Sequence, residues 1–297
     1  MKHTRVGLLA GALTLGAVAV GGVVSPAVAA DGRTLTVCAP EVGSCDHQTI
    51  QAGLDAADAG DTVRVVGDLT VGGTTTIAED VTLTGAPGAT VTQTGSAITF
   101  VIRGNGATLS DLTITSSVPV AREFVQIGAD DVTLSGNTIY GPQQALPMSG
   151  WVGNRGFVTQ GGITGLTVEG NTIHSLRSGA YLNPNGTGTI SGNTGYDTKG
   201  DFLIDGAAFR FTDNRAGDPD QRSEWGFVVF PGTDSSRYPS MAALSTANNG
   251  MTAWDQRSGA KFVAPLIADD CRDGGWKTLD PGFKNQGQCV KFVNTGK

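Results

Sequence analysis

Three short segments of this chain superpose almost letter for letter: Val132 to Ile139 reads V-T-L-S-G-N-T-I, Leu166 to Ile173 reads L-T-V-E-G-N-T-I, and Gly188 to Gly195 reads G-T-I-S-G-N-T-G. A decayed copy precedes them at Ala107 to Ile114 and another follows at Phe209 to Ala216, while Val81 to Gly85 looks like an earlier coil without the asparagine. Equivalent apolar positions (Leu83, Leu109, Leu134, Val168, Ile190, Phe211) are spaced 26, 25, 34, 22 and 21 residues apart. Self-similarity at such a period requires units that share one core by stacking on their neighbours. The coils are rich in Thr, Val and Ile with Gly and Asn, which favours strands and turns over the helices of a leucine-rich repeat. Stacked strands then pair in parallel about 4.8 Å apart, and the core becomes a set of aliphatic columns.

Asn137, Asn171, Asn193 and Asn214 share one register, directly after Gly136, Gly170, Gly192 and Asp213. A tight bend near the left-handed region suits that pair, and an amide repeated at each bend can bond its copy one coil away. Thr138, Thr172 and Thr194 form a second column beside the first.

The G-N-T-[IG] coils resemble the right-handed parallel β-helix proteins of the pectin lyase-like superfamily, over roughly Thr49 to Gly217. The fold expected is all-β, a right-handed parallel β-helix with an N-terminal capping helix and a C-terminal cap. The stretch T-I-Q-A-G-L-D-A-A-D-A-G-D-T-V-R-V-V from Thr49 to Val66 is similar to the opening of many such proteins. In it Ile50, Leu54 and Ala57 line one face of a short helix that stops at Gly60, and Thr62 to Val66 is expected to start the first strand. The helix would plug the open end of the solenoid. After Gly217 the period is lost; Trp225 to Phe230 reads as one more strand, and Tyr238 to Trp254 has helical tendency around Met241 to Leu244, a C-terminal cap. Within the tail, C-R-D-G-G-W from Cys271 to Trp276 through F-K-N-Q-G-Q-C-V from Phe283 to Val290 resembles a small cysteine-paired module of secreted actinobacterial proteins.

Residues 1–30 combine a basic start, an apolar run and the small-residue end S-P-A-V-A-A, the pattern of a secretory signal peptide. The domain organisation expected is therefore a leader over 1–30, the β-helix with its caps over 31–260, and the tail over 261–297. Secretion makes the mature chain extracellular, with no membrane span after processing. Loss of Lys2 and Arg5 with the leader takes the formal charge from −7 to −9. Such an acidic chain lacks the basic footprint that nucleic acid requires. Exported chains with an even cysteine count form disulfides. Of the three pairings open to Cys38, Cys45, Cys271 and Cys289, the sequence-local one fits pairs lying at opposite ends of an elongated repeat. Neither spacing resembles C-x-x-C, and the mature chain has only His47 and His174, so no metal site is assigned.

A β-helix sets residues about 22 apart side by side. Alignment on the asparagines places Arg177, Lys199 and Asp220 in one column, His174 beside Tyr196, and Asn183 beside Asp205, with Tyr181, Asp197 and Asp201 among them. This mixture reads either as a solvated outer face or as a site. A lyase would use Lys199 as base and Arg177 as carboxylate clamp, with Asp197, Asp201 or Asp205 as candidate calcium ligands, which makes Ca2+ the only cofactor brought in. A hydrolase would draw two carboxylates from the same three aspartates. The chain carries neither the W-x-D-H nor the R-x-P-x-x-R pattern of pectate lyases, nor the N-T-D, D-D and G-H-G set of polygalacturonases. The long step from Leu134 to Val168 marks an insertion over Gln143 to Gln160, in which Trp151 stacks on a sugar with Arg155 beside it, or plugs the flank of the solenoid. His174, Tyr181, Asn183 and Asp205 complete the substrate-binding candidates. Two functions follow: a secreted β-helix acting on polysaccharide, or a noncatalytic surface protein that binds glycan or a protein partner.

Overall fold

In the computed structural model, which describes residues 32–218, 221, 223–259, 261–262, 268–277 and 283–295, the chain winds into a parallel β-solenoid. The expected leader, residues 1–30, lies outside the described residues. Each full coil contributes one strand to each of three sheets, which hold eight, seven and nine strands. The first sheet stacks Val63, Leu83, Leu109, Leu134, Val168, Ile190 and Phe211 in one column, the register expected from the repeat. The second aligns Leu69, Val91, Ile114, Ile139, Ile173, Gly195 and Ala216. In the third, Ile102, Ile127, Thr159, Leu182, Ile204 and Val229 sit at successive inner levels. Alternation along each strand turns one residue inward and the next outward, so the columns merge into one apolar core.

The bend between the first and second sheets holds the coils in register. Gly136, Gly170, Gly192 and Asp213 all have φ between 59° and 64°, the left-handed bend expected of them. The asparagine that follows is buried in every case. Asn171 Oδ1 accepts both the backbone N–H of Asn137 (2.9 Å) and its amide Nδ2–H (3.0 Å), while Asn171 Nδ2 donates to the Leu134 carbonyl at 2.8 Å. Asn193 and Asn214 repeat the pattern. One further member escapes the repeat: Asn248 accepts from the backbone and amide of Asn214 (3.2 and 2.7 Å). At the other end Leu112 takes the asparagine position and donates its backbone N–H to Asn137 Oδ1 at 3.1 Å.

Both ends are closed. Helix α1 (Ile50–Ala56) starts at Thr49, whose Oγ1 accepts the Ala52 N–H, and buries Ile50 and Leu54. Gln51 accepts the Thr76 N–H at 2.8 Å and donates to the Thr76 carbonyl at 3.3 Å, satisfying the edge strand of the third sheet. The expectation that Thr62 opens the first strand is corrected, because Thr34–Val37 precedes it and pairs in parallel with Thr62–Val65. Helix α1 therefore sits between these two strands in the chain, and it ends at Ala56, short of Gly60. At the far end helix α2 (Met241–Thr246) buries Met241 and Leu244 and delivers Asn248 to the ladder. Ala253–Asp255 then extends the third sheet in parallel, and Lys261–Phe262 pairs with it antiparallel, so the sheet runs past residue 260 into the segment expected to be tail. Cys38 bonds Cys45 and Cys271 bonds Cys289, the local pairing. Cys271 and Cys289 pack with Trp276, Phe283 and Val290, and the second half of the tail is helix α3 (Gln286–Thr295).

Replacing Asn171 by Leu strands the Asn137 N–H and the Leu134 carbonyl in the interior. The expected cost is about 2–4 kcal/mol, against under about 1 kcal/mol for the outward-facing Thr172→Ala, read as the shift in urea midpoint at constant slope.

Candidate functional site

Outward positions on the third sheet form a column of their own: Val158, Tyr181, Leu203, Val228 and Trp254 lie on successive strands. From Tyr181 to Trp254 this column floors a groove of about 370 Å³. Trp225 and Phe230, from the ends of the segment around Phe227–Val229, add aromatic walls, with Trp225 5.6 Å from Trp254 and Phe230 5.8 Å from Tyr181 between ring centroids. Three cations edge the groove, Arg155, Arg177 and Lys199. The Arg155 guanidinium lies 5.4 Å from the Tyr181 ring centre, within cation–π range. Lys199 faces Glu224 at 3.8 Å, a half-exposed pair of small energetic weight. No aspartate or glutamate lines the groove among the described residues.

The residues proposed from sequence divide into those that meet here and those that do not. Arg177, Tyr181 and Lys199 converge as expected from the coil register, and Arg155, expected in the inserted loop, joins them from the strand Arg155–Thr159. Arg177 also braces the structure, since its Nη1 donates to the carbonyls of Ser149 and Trp151 (3.0 and 3.1 Å) and its backbone N–H donates to Asn154 Oδ1 at 2.7 Å. It thus straps the inserted loop to the solenoid. Trp151 is only 4 % exposed and its indole N–H donates to the Ala145 carbonyl at 2.9 Å, the plug geometry rather than a ring offered to a sugar. The insertion is also shorter than the span 143–160, because Arg155–Thr159 is a regular strand of the third sheet.

His174 sits outside the groove, on the outer face of the second sheet. It is sandwiched between Tyr140 and Tyr196, at 4.9 and 4.5 Å with nearly parallel rings. Burial there holds its imidazole below the usual histidine range, against the opposing pull of Asp197. Asp197 is itself buried and accepts from Ser175 Oγ at 2.8 Å. Asn183 donates its amide to the Thr159 carbonyl, and Asp205 accepts the Tyr181 hydroxyl at 3.0 Å. Burial, then that bond, raises the Tyr181 phenol. Asp220 lies outside the described residues. Among the described residues no three His, Cys, Asp or Glu side chains gather into a metal-holding set.

Asp201 points inward. A Cβ built on Gly195 would stand 2.5 Å from its carboxyl carbon, so the glycine at this level of the Ile139–Ile173 column is what makes room for it. Its Oδ1 accepts from Ser223 Oγ at 2.6 Å and Thr198 Oγ1 at 2.9 Å. Burial pushes its pKa up to about 7 despite those two donors.

Sequence reasoning missed the aromatic half of the groove. Trp225, Phe230 and Trp254 lie beyond the last recognisable repeat, and only projection of the outward position of Tyr181 onto each later strand would have reached Trp254.

The geometry defines a parallel β-solenoid with an aromatic, cation-edged groove along one sheet. A family model described as right handed beta helix region matches residues 96–262, more than half of the chain, and the chain belongs to that family. This fold is common to polysaccharide-active enzymes and binding proteins. Comparison with curated proteins and with solved structures finds no match.

In the folded protein Asp201 keeps its proton up to about pH 7, whereas the unfolded side chain loses it near 3.8. Its contribution to stability is therefore complete below the unfolded value and is lost as pH climbs through that window. Asp201→Asn, which keeps the shape and cannot ionise, should match the parent in acid and exceed it above about pH 8 by on the order of 4 kcal/mol in denaturant titrations. Equal stability of the two proteins at high pH would contradict a neutral Asp201.

Proposed function

We propose that this protein is an extracellular glycan-binding β-helix, and that a polysaccharide chain lies along the groove of the third sheet without being cleaved. The observation that carries the proposal is the composition of the groove: four aromatic rings and three cations, with no carboxylate lining it among the described residues. Sugar rings present apolar C–H faces that stack on aromatic side chains, while arginine and lysine donate to hydroxyls and acidic groups. Glycoside hydrolysis needs two carboxylates on opposite sides of the scissile bond. Asp197 and Asp201 are buried, and Asp205 is engaged by Tyr181, which favours binding over turnover.

The extracellular setting draws support from the two disulfides, which persist in oxidising compartments. No helix among the described residues is long and apolar enough to cross a membrane.

Affinity electrophoresis of the protein through gels containing neutral and acidic polysaccharides checks this reading. At least one glycan should retard the protein, and Trp254→Ala or Tyr181→Ala should weaken that retardation about tenfold, equivalent to roughly 1.4 kcal/mol. The same glycans should release neither reducing ends nor unsaturated products, with or without calcium. Product formation that disappears in Lys199→Ala would replace the binding reading with a lyase.

A further inference from the structure

We infer that Glu224 is a specificity-determining residue of the groove. It ends the row of cations and confines negative charge on the ligand to the end marked by Arg155 and Arg177, so the glycan that fits carries an acidic sugar flanked by neutral ones and not a continuous run of acidic sugars. The inference rests on the groove assigned above as the binding surface and names the class of glycan that this surface selects.

Ala180, Phe202 and Phe227 pair in register across the third sheet, and counting back three residues from each reaches Arg177, Lys199 and Glu224. The register extends that far, because the Lys199 N–H donates to the Arg177 carbonyl at 3.2 Å and the Glu224 N–H to the Thr198 carbonyl at 2.9 Å. Arg155 enters from the coil before Arg177, and Trp254 from the coil after Glu224. Coils stack about 4.8 Å apart, so the groove is graded along the solenoid axis. Three successive levels bring a cation, the fourth brings the Glu224 carboxylate, and the lining from Trp225 and Phe230 to Trp254 and Gln256 is uncharged.

The three cations are not equivalent. Arg177 donates to the Ser149 and Trp151 carbonyls, which fix its guanidinium without neutralising it, and Arg155 lies over the Tyr181 ring. Among the described residues no carboxylate stands within salt-bridge distance of either arginine. Lys199 differs, with Glu224 at 3.8 Å. A pair this exposed adds little to stability, so the carboxylate acts chiefly on what enters the groove. It offsets the charge of Lys199 and repels an anion placed at its own level or beyond. The formal charge of −7 on the whole chain adds to the repulsion of a densely charged polymer. One acidic sugar at the two arginines gains attraction instead, and its neutral neighbours stack on Trp225 and Trp254.

Affinity electrophoresis with two backbones, each at two charge densities, tests the assignment: polygalacturonate and its largely methyl-esterified form, and carboxymethyl cellulose of high and of low substitution. On at least one backbone the sparsely charged form should retard the parent about tenfold more strongly than the dense form, the reverse of the order a uniformly basic groove gives. Glu224→Gln should bind the dense form about fivefold more tightly and the sparse form as the parent does. Added sodium chloride should narrow the preference of the parent by screening the carboxylate. Stronger or equal binding of the dense forms by the parent, a Glu224→Gln protein that keeps the parent's preference, or retardation by neither sparse form would each overturn the inference. Glycan binding itself still stands in those cases if any polysaccharide of the wider panel retards the protein, and retardation by none removes both readings.

Discussion

The amide column from Asn137 to Asn248 is the interaction on which the remaining structure depends. A parallel strand can slide along its neighbour by two residues without exposing its apolar face, so hydrophobic burial alone leaves the register of a solenoid loosely specified. The asparagines remove that freedom. From Asn171 onward each Oδ1 accepts two bonds from the previous asparagine, and each Nδ2 reaches a carbonyl of the coil before, so a slip on any strand breaks several buried bonds together. Every side chain of the groove inherits its neighbours from this register. Tyr181 meets Leu203 and Val228 because Asn171, Asn193 and Asn214 are superposed one sheet away.

The ladder also explains which parts of the architecture could be read from the sequence. A left-handed bend followed by a buried amide is a local requirement with few residue solutions, Gly-Asn above all, and it recurs as a visible motif. The apolar columns of the first sheet, the threonine column and the pairing of His174 with Tyr196 follow from it and were legible. Asn248 was not, because a helix end supplies it rather than a strand bend, and nothing near Ala247–Asn248–Asn249 repeats the motif. The first strand was hidden for a related reason: Thr34–Val37 pairs with the coil above it and on its other side meets a lone bridge at His47, and the coil to which it belongs is completed by α1 instead of by strands.

The groove was legible on its charged side and illegible on its aromatic side. Arg177 and Lys199 fall inside the repeat, where counting works. Trp225 and Phe230 flank the strand Phe227–Val229, where the repeat has already decayed, and Trp254 follows the helix that interrupts the strands, so residue spacing no longer reports position in space. Burial was the other hidden quantity. Trp151 looks available in sequence, yet the arginine strap from Arg177 and its own bond to Ala145 hold it against the solenoid. Asp201 looks like a surface aspartate until the missing side chain of Gly195, one strand earlier, shows that the interior has been emptied for it.

That substitution of aspartate for hydrocarbon separates two demands on this end of the molecule. An isoleucine at the level of Gly195 would continue the column of Ile139 and Ile173 and bury more apolar surface, about 1.5–3 kcal/mol by transfer arithmetic. The chain instead carries a glycine there and fills the space with a carboxyl whose hydrogen bonds reach Ser223. Beyond this coil the asparagine ladder is near its end and the repeats give way to the cap, and Trp225 lies just ahead of the strand Phe227–Val229, its carbonyl accepting the Asp201 N–H. A directional polar anchor supplies position where an aliphatic contact would supply only cohesion, since hydrogen bonds specify geometry and burial does not. The groove wall is consequently held in part from inside the core, through the Asp201 carboxyl on Ser223 and the Asp201 N–H on the Trp225 carbonyl.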